Sequence, residues 1–274
     1  MTHVADWKTA VSTQNTDLAF FQRLMACDIT AIEFLVGEKV RFEIDWQALR
    51  RNADGAGIEI WSCHLPFSQD IDISLAEEEN RRSVVNDQKK IMAEAMKIGI
   101  RRFVLHPSSE PIGEEERPLR MEKAKESLRE LAQFAAEGNA VICVEDLPRT
   151  CLGHTADEVA ELIAADERLK VCFDVNHLLA QYGSTHAEFI EKLGHKIETT
   201  HMSDYDFVDE KHFFPGRGMI NWRELAEGLE RADYAGPFLY EGGFTPSHRA
   251  PEVPCGTLEE ARNRHLTIKE LTGK

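Results

Sequence analysis

Short β-branched and apolar runs alternate with longer stretches of helical period along the whole chain, the arrangement that builds βα units around a parallel sheet. The runs predict strands at Lys8 to Ser12, Ala31 to Leu35, Ile58 to His64, Arg102 to His106, Val141 to Glu145, Lys170 to Asp174, Glu198 to His201 and Phe238 to Glu241. Eight is the number that closes a barrel. Between the strands, Met121, Ala124, Leu128, Leu131 and Ala135 step by three or four positions, which predicts a helix with one buried stripe and Gly138 at its C-terminal cap. Helix starts are signalled where Ser, Thr or Asn and a Glu three residues on can satisfy each other's backbone N–H groups. The pairs are Ser74 with Glu77, Thr155 with Glu158, Thr185 with Glu188, Asn221 with Glu224, and Thr257 with Glu260. The acidic clusters Glu77 to Glu79 and Glu114 to Glu116 fit helix first turns, where carboxylates meet the positive end of the dipole. No Pro-rich or Gly-Ser linker interrupts the pattern, so residues 1–274 are expected to form one α/β domain, a closed (β/α)8 barrel. A doubly wound open sheet is the alternative.

Composition narrows the functional classes. At 42% hydrophobic and 29% charged the chain can build a real core. Its 48 Asp and Glu against 32 Lys and Arg leave a net charge of −16, which repels phosphate backbones and anionic lipid surfaces. Nucleic acid is not an expected partner. The stretch Met1 to Ala10 has no basic start followed by an apolar run, and nowhere do about 18 apolar residues follow one another, so neither export nor a membrane span is expected. Cys27, Cys63, Cys143, Cys151, Cys172 and Cys255 show no C-x-x-C spacing and read as reduced thiols of a cytoplasmic protein. Cys63, Cys143 and Cys172 lie in apolar runs, where a thiol acts as a small hydrophobe.

Strands three to eight each run apolar and then stop on a residue able to bind a metal or move a proton. These residues are His64, His106, Glu145, Asp174 with His177 just beyond, His201 and Glu241. In a parallel barrel all strand ends open on one mouth, the C-terminal face where active sites sit. A lone carboxylate closing an apolar strand costs several kcal/mol unless it is paired or protonated. Glu145, Asp174 and Glu241 raise that problem three times, and one divalent cation between them answers all three. Strand parity places Glu145 with Cys143, Asp174 with Cys172, His201 with Thr199 and Glu241 with Leu239, partners small or apolar enough to line a barrel interior. Three carboxylates and one imidazole suit Mn²⁺, Mg²⁺, Co²⁺ or Zn²⁺. The other histidines, His3, His154, His186, His195, His248 and His265, read as surface or packing residues.

The motifs HLPF at His64, LHPS at His106, VEDLP at Glu145, FDVNHLL across Asp174 and His177, HMSD at His201, HFFPGRG from His212 to Gly218, and YEGG at Glu241 stand in one order along nearly the whole chain. In that order the sequence resembles the xylose isomerase-like TIM-barrel superfamily, which joins sugar isomerases and epimerases to the endonuclease IV group. The resemblance implies that Glu145, Asp174, His201 and Glu241 match the four metal ligands of the ketose 3-epimerase branch, with both glutamates exchanging protons with substrate. It further implies that His64, His106, His177, Glu210 and His212 match the additional ligands of endonuclease IV, Glu210 standing where that group has aspartate. These residues and Arg217 are therefore expected to hold a second metal or to orient a sugar or sugar phosphate. Trp61 and Phe67 flank the expected pocket, Phe67 able to stack on a sugar ring and Trp61 better suited to core packing.

The expected reaction is metal-dependent isomerisation or epimerisation, with a proton leaving the carbon beside a carbonyl to give an enediolate. Glu145 and Glu241 serve as base and acid. Three readings stay open beside it: a keto-sugar or cyclitol dehydratase on the same site, an endonuclease IV-like phosphodiesterase, and a non-catalytic sugar-binding barrel. The particular sugar, the metal and a homo-oligomeric state are not legible in the sequence.

Overall fold

Apolar β-branched segments form the strands here because each has two faces to bury, one against the barrel interior and one against a surrounding helix. The computed structural model describes residues 7–245, 247 and 249–263. Its strands are β1 (Thr9–Thr13), β2 (Ala31–Leu35), β3 (Glu59–His64), β4 (Arg102–Leu105), β5 (Val141–Glu145), β6 (Lys170–Asp174), β7 (Ile197–His201) and β8 (Phe238–Tyr240). Every predicted strand forms, with no end moved by more than one residue: His106 and Glu241 fall just beyond β4 and β8 rather than within them. The helices are α1 (Leu18–Ala26), α2 (Trp46–Ala56), α3 (Glu78–Lys97), α4 (Arg117–Glu137), α5 (Ala156–Ile163), α6 (His186–Leu193) and α7 (Trp222–Arg231), and residues 258–263 are also helical.

The strands lie in the order β7-β6-β5-β4-β3-β2-β1-β8, and each paired neighbour is parallel. Closure comes from β1 pairing with β8 and from a parallel bridge between Met202 and Tyr240. There the Met202 N–H donates to the Leu239 carbonyl at 2.7 Å and the Glu241 N–H to the Met202 carbonyl at 3.3 Å. The sheet is therefore a (β/α)8 barrel, and the open doubly wound alternative falls.

Two apolar layers follow from strand alternation. A large outer core joins the sheet to the helices, and α4 contributes Met121, Ala124, Leu128, Leu131 and Ala135 to it, all buried as predicted. Inside the barrel, Ala10, Ala31 and Leu239 pack beside Trp61, and Val104, Cys143 and Cys172 beside Val141. All six cysteines are free. Among the described residues no helix is long and apolar enough to cross a membrane.

Helix caps agree with the sequence in part. Thr185 with Glu188 forms a full reciprocal box, and Thr257 with Glu260 makes both of its hydrogen bonds. Thr155 and Asn221 cap their helices by accepting from the N–H of Glu158 and Glu224. The Ser74 and Glu77 box does not form. Asp72 takes both the N–H and the hydroxyl of Ser74, and α3 starts at Glu78 with Glu77 as an unassisted cap. Glu114 to Glu116 lie in the turn ahead of α4, which opens at Arg117. Gly138 does stand at the C-cap, with φ −97°, while Asn139 takes the left-handed conformation at φ 54°. A Cβ at 138 would meet Met96 Sδ at 2.2 Å, so that flexible side chain would have to move aside.

Candidate metal centre at the barrel mouth

Strand ends bring the predicted residues to one place. His64, Glu145, Asp174 and His201 are the last residues of β3, β5, β6 and β7, and Glu241 directly follows β8. His201 Nδ1 lies 3.0 Å from Glu145 Oε1, 3.2 Å from Glu241 Oε2 and 3.8 Å from Asp174 Oδ2. The second oxygen of Glu145 is reached by His64 Nε2 at 3.1 Å and His106 Nε2 at 3.2 Å. On the other side, His177 Nε2 is 3.5 Å from Asp174 Oδ2, and Glu210 Oε1 lies 3.8 Å from His177 and 2.9 Å from His212 Nε2.

His64, Glu145, His201 and Glu241 thus form one group of side chains whose donor atoms could hold an ion, and Asp174, His177 and His212 form another. The donors fit a dication. Asp174 Oδ2 and Glu241 Oε2 are buried without any hydrogen-bond partner, and both point toward His201 Nδ1. Three carboxylates crowded around one imidazole nitrogen need a positive charge among them, and a protonated ring or a bound ion would supply it.

Electrostatics follow from that crowding. Burial opposes ionisation of Glu145, yet the imidazoles of His201 and His106 hold it well below the usual carboxylate range. Asp174 is pushed well up, first by burial and then by the Glu241 carboxylate despite His177. Burial would raise Glu241, and His201 more than reverses it. His201 itself is driven up by Cys172, Glu241, Glu33 and Glu145 against its desolvation. His64 is raised by Glu145, while for His106 desolvation wins and lowers it. Asp146, beside the cluster, is pushed up to about 8 by burial.

A cavity of about 290 Å³ opens over this cluster, lined in part by Phe67, His106, Glu145, Arg149, His177, Glu210, His212 and Glu241. Phe67 is 41% exposed and stacks on His106 with ring centroids 3.7 Å apart. Two expectations need correction. Arg217 is not among the residues lining the cavity; its guanidinium turns outward to the Pro254 carbonyl and to Glu260. Trp61 lies low inside the barrel, with Arg102 at 3.7 Å over its ring; it takes the packing role the sequence favoured but does not flank the cavity. Of the remaining histidines, His154 and His186 are half-buried and bonded to backbone carbonyls, and His195 is exposed. His3, His248 and His265 lie outside the described residues.

Three residues of the site escaped the strand-end pattern. Glu33, in the middle of β2, is completely buried and accepts from His201 Nε2 at 2.9 Å. Its signal was a carboxylate inside the apolar run AIEFL. Asp146 accepts from the Asp174 N–H at 2.8 Å and its backbone carbonyl faces His177 Nδ1 at 2.7 Å. Arg149 pairs with Glu110, Asp209 and Glu210 at 2.6 to 2.9 Å across the cavity rim.

A parallel barrel that gathers imidazoles and carboxylates at the carboxyl ends of its strands defines a class of (β/α)8 proteins with a candidate metal site at the mouth. Within that class, the chain belongs to the xylose isomerase-like TIM barrel family, whose model matches residues 21–261. It is 25% identical over 130 residues to D-psicose 3-epimerase of Enterocloster bolteae, covering 44% of this chain and 41% of that protein. It is also 25% identical over 167 residues to inosose dehydratase of Histophilus somni, covering 54% of each. The chain spans about half the length of these curated relatives. A solved structure of a D-tagatose 3-epimerase-like protein shares the fold with a TM-score of 0.81 and 22% identity, covering 97% of this chain and 98% of that one.

Proposed function

We propose that the chain is a divalent-metal-dependent isomerase or epimerase of a keto-sugar. The observation that carries this reading is the convergence of Glu145, Asp174, His201 and Glu241, two of whose carboxylate oxygens are buried and unpartnered. These four residues would hold the ion, which when bound supplies Lewis-acid polarisation of a carbonyl and its neighbouring hydroxyl. Mn²⁺, Mg²⁺, Co²⁺ and Zn²⁺ all suit the donor set.

Glu145 and Glu241 both line the cavity and enter it from different strands. One would take the proton from the carbon beside the carbonyl and the other return it, on the opposite face for an epimer or on the next carbon for an aldose–ketose exchange. Their different electrostatic surroundings suit the division of labour, since Glu145 is backed by three imidazoles, His64, His106 and His201. His64, His106, His177, Glu210 and His212 would orient hydroxyls or hold a second ion. Phe67 offers the one exposed aromatic face at the cavity. Among the described residues Arg149 is the one Lys or Arg lining the cavity, and three carboxylates already engage it. That favours an uncharged ketose over a sugar phosphate. A cytoplasmic enzyme of small-molecule carbohydrate metabolism fits the free cysteines.

The inosose dehydratase relative favours a second reading, in which the same carbon acid loses a β-hydroxyl instead of regaining its proton. One experiment separates these outcomes. A panel of free ketoses and keto-cyclitols is incubated in D₂O with Mn²⁺-loaded protein and followed by NMR. Deuterium entering the carbon beside the carbonyl with the carbon skeleton and all hydroxyls kept supports the isomerase. Water loss supports the lyase. Absence of deuterium from every member, or exchange that survives in both Glu145→Gln and Glu241→Gln, sinks the two-carboxylate proposal.

A further inference from the structure

Glu33 lies beneath the cluster, on the second strand, and no part of the proposed chemistry uses it. Its side chain is completely buried, as is that of Ser62 on the adjacent strand. The Ser62 hydroxyl donates to Glu33 Oε2 at 2.8 Å, and the other oxygen, Oε1, faces His201 Nε2 at 2.9 Å. Glu33 has no cavity contact through which it could touch a substrate. Because its carboxylate can only accept, it holds a proton on His201 Nε2. Nδ1, which faces Glu145 Oε1 at 3.0 Å, is then the ring nitrogen that an ion among Glu145, Asp174 and Glu241 would take, displacing any proton there.

We infer that Glu33, held by Ser62, is the positioning residue of the metal centre: it sets the tautomer and ring angle of His201 and strengthens the imidazole as a ligand. This rests on the metal reading given above. A negative charge on the far side of a ligating imidazole stabilises the bond between the ring and a cation, and loss of such a partner typically weakens metal affinity about 10- to 100-fold. The burial of Glu33 sharpens the case. In a dry interior its charge is costly unless a positive charge lies close, and across one imidazole ring a bound ion would supply it.

The test measures ion binding, not turnover. Metal-free wild-type protein and Glu33→Gln are titrated with Mn²⁺ by calorimetry, and their Co²⁺ forms are compared by visible absorption. Gln is nearly isosteric, its carbonyl can still accept from His201, and its amide can still meet Ser62. The expected result is an approximately 10- to 100-fold weaker Kd in Glu33→Gln, an altered Co²⁺ spectrum and an unchanged melting temperature without metal. Ser62→Ala, which removes one hydroxyl and no charge, should weaken Mn²⁺ by a smaller factor and keeps the proposal testable if Glu33→Gln fails to fold. Wild-type affinity in whichever of the two variants folds, with an unaltered Co²⁺ spectrum, overturns the role of Glu33 and leaves the metal centre standing. A wild-type protein that takes up no Mn²⁺ overturns the metal centre itself.

Discussion

The two ends of the barrel interior use the same alternation of side chains and arrive at opposite electrostatic states. At the amino end of the strands Arg102 lies over the Trp61 ring and pairs with Glu198 at 2.7 Å, and the Trp61 indole donates to Thr199 at 3.2 Å. At the carboxyl end, Asp146, Asp174 and Glu241 each bury an oxygen with no partner, and burial pushes the Asp146 carboxyl up to about 8. A fold selected for stability alone would resemble the floor throughout. The rim keeps buried carboxyl oxygens that no described side chain satisfies, and this contrast marks the candidate site more sharply than the shape of the cavity does.

Four measurements would break or sharpen that contrast. The largest effect is expected at the rim, where Glu145→Gln should cut deuterium exchange into a ketose about 10²- to 10⁴-fold. Retained exchange would place the base elsewhere. Next in size, a divalent ion at 100 times its Kd should raise unfolding stability by about 2.7 kcal/mol. Asp174→Asn should remove most of that gain, and denaturant titrations with and without Mn²⁺ would read it. At the floor, Arg102→Ala should cost about 1–2 kcal/mol through the lost ring and Glu198 contacts while leaving the Mn²⁺ gain intact. A floor variant that abolished metal binding would show the two ends to be coupled.

The smallest effect lies outside the barrel. Glu158, in α5, is subject to a burial penalty, yet Arg117 at 2.6 Å holds its carboxyl below the ordinary value of 4.5. A group depressed in the folded state adds stability that is complete above its unfolded value and is lost as pH falls through the folded one. Stability should therefore decline below about pH 4.5, and Glu158→Gln should flatten that part of the profile by under about 1 kcal/mol.

How far the site was legible depends on where each residue sits. His64, Glu145, Asp174, His201 and Glu241 could be read because a titratable residue at the end of an apolar strand has one destination in a parallel barrel. Glu210 lies near both His177 and His212 across a loop, a meeting to which no periodicity points. Arg217 was expected at the mouth by its place in the same loop, yet it bonds Glu260 and faces outward, since loop dihedrals follow no repeating pattern. Glu33 was overlooked for the opposite reason. It sits within a strand rather than at an end, and only the His201 ring opposite gives it a purpose.

By itself the sequence determined the eight strands, the helical stripes, the barrel and the inward parity of the residues along each strand, because these follow from local period and from burying apolar surface. The tertiary structure alone decided which of those inward residues meet. Glu33 and His201 stand 168 positions apart in sequence and 2.9 Å apart in space. Separations of that kind depend on strand register and barrel closure, which are set by the packing of all eight units together and are written in no single one of them.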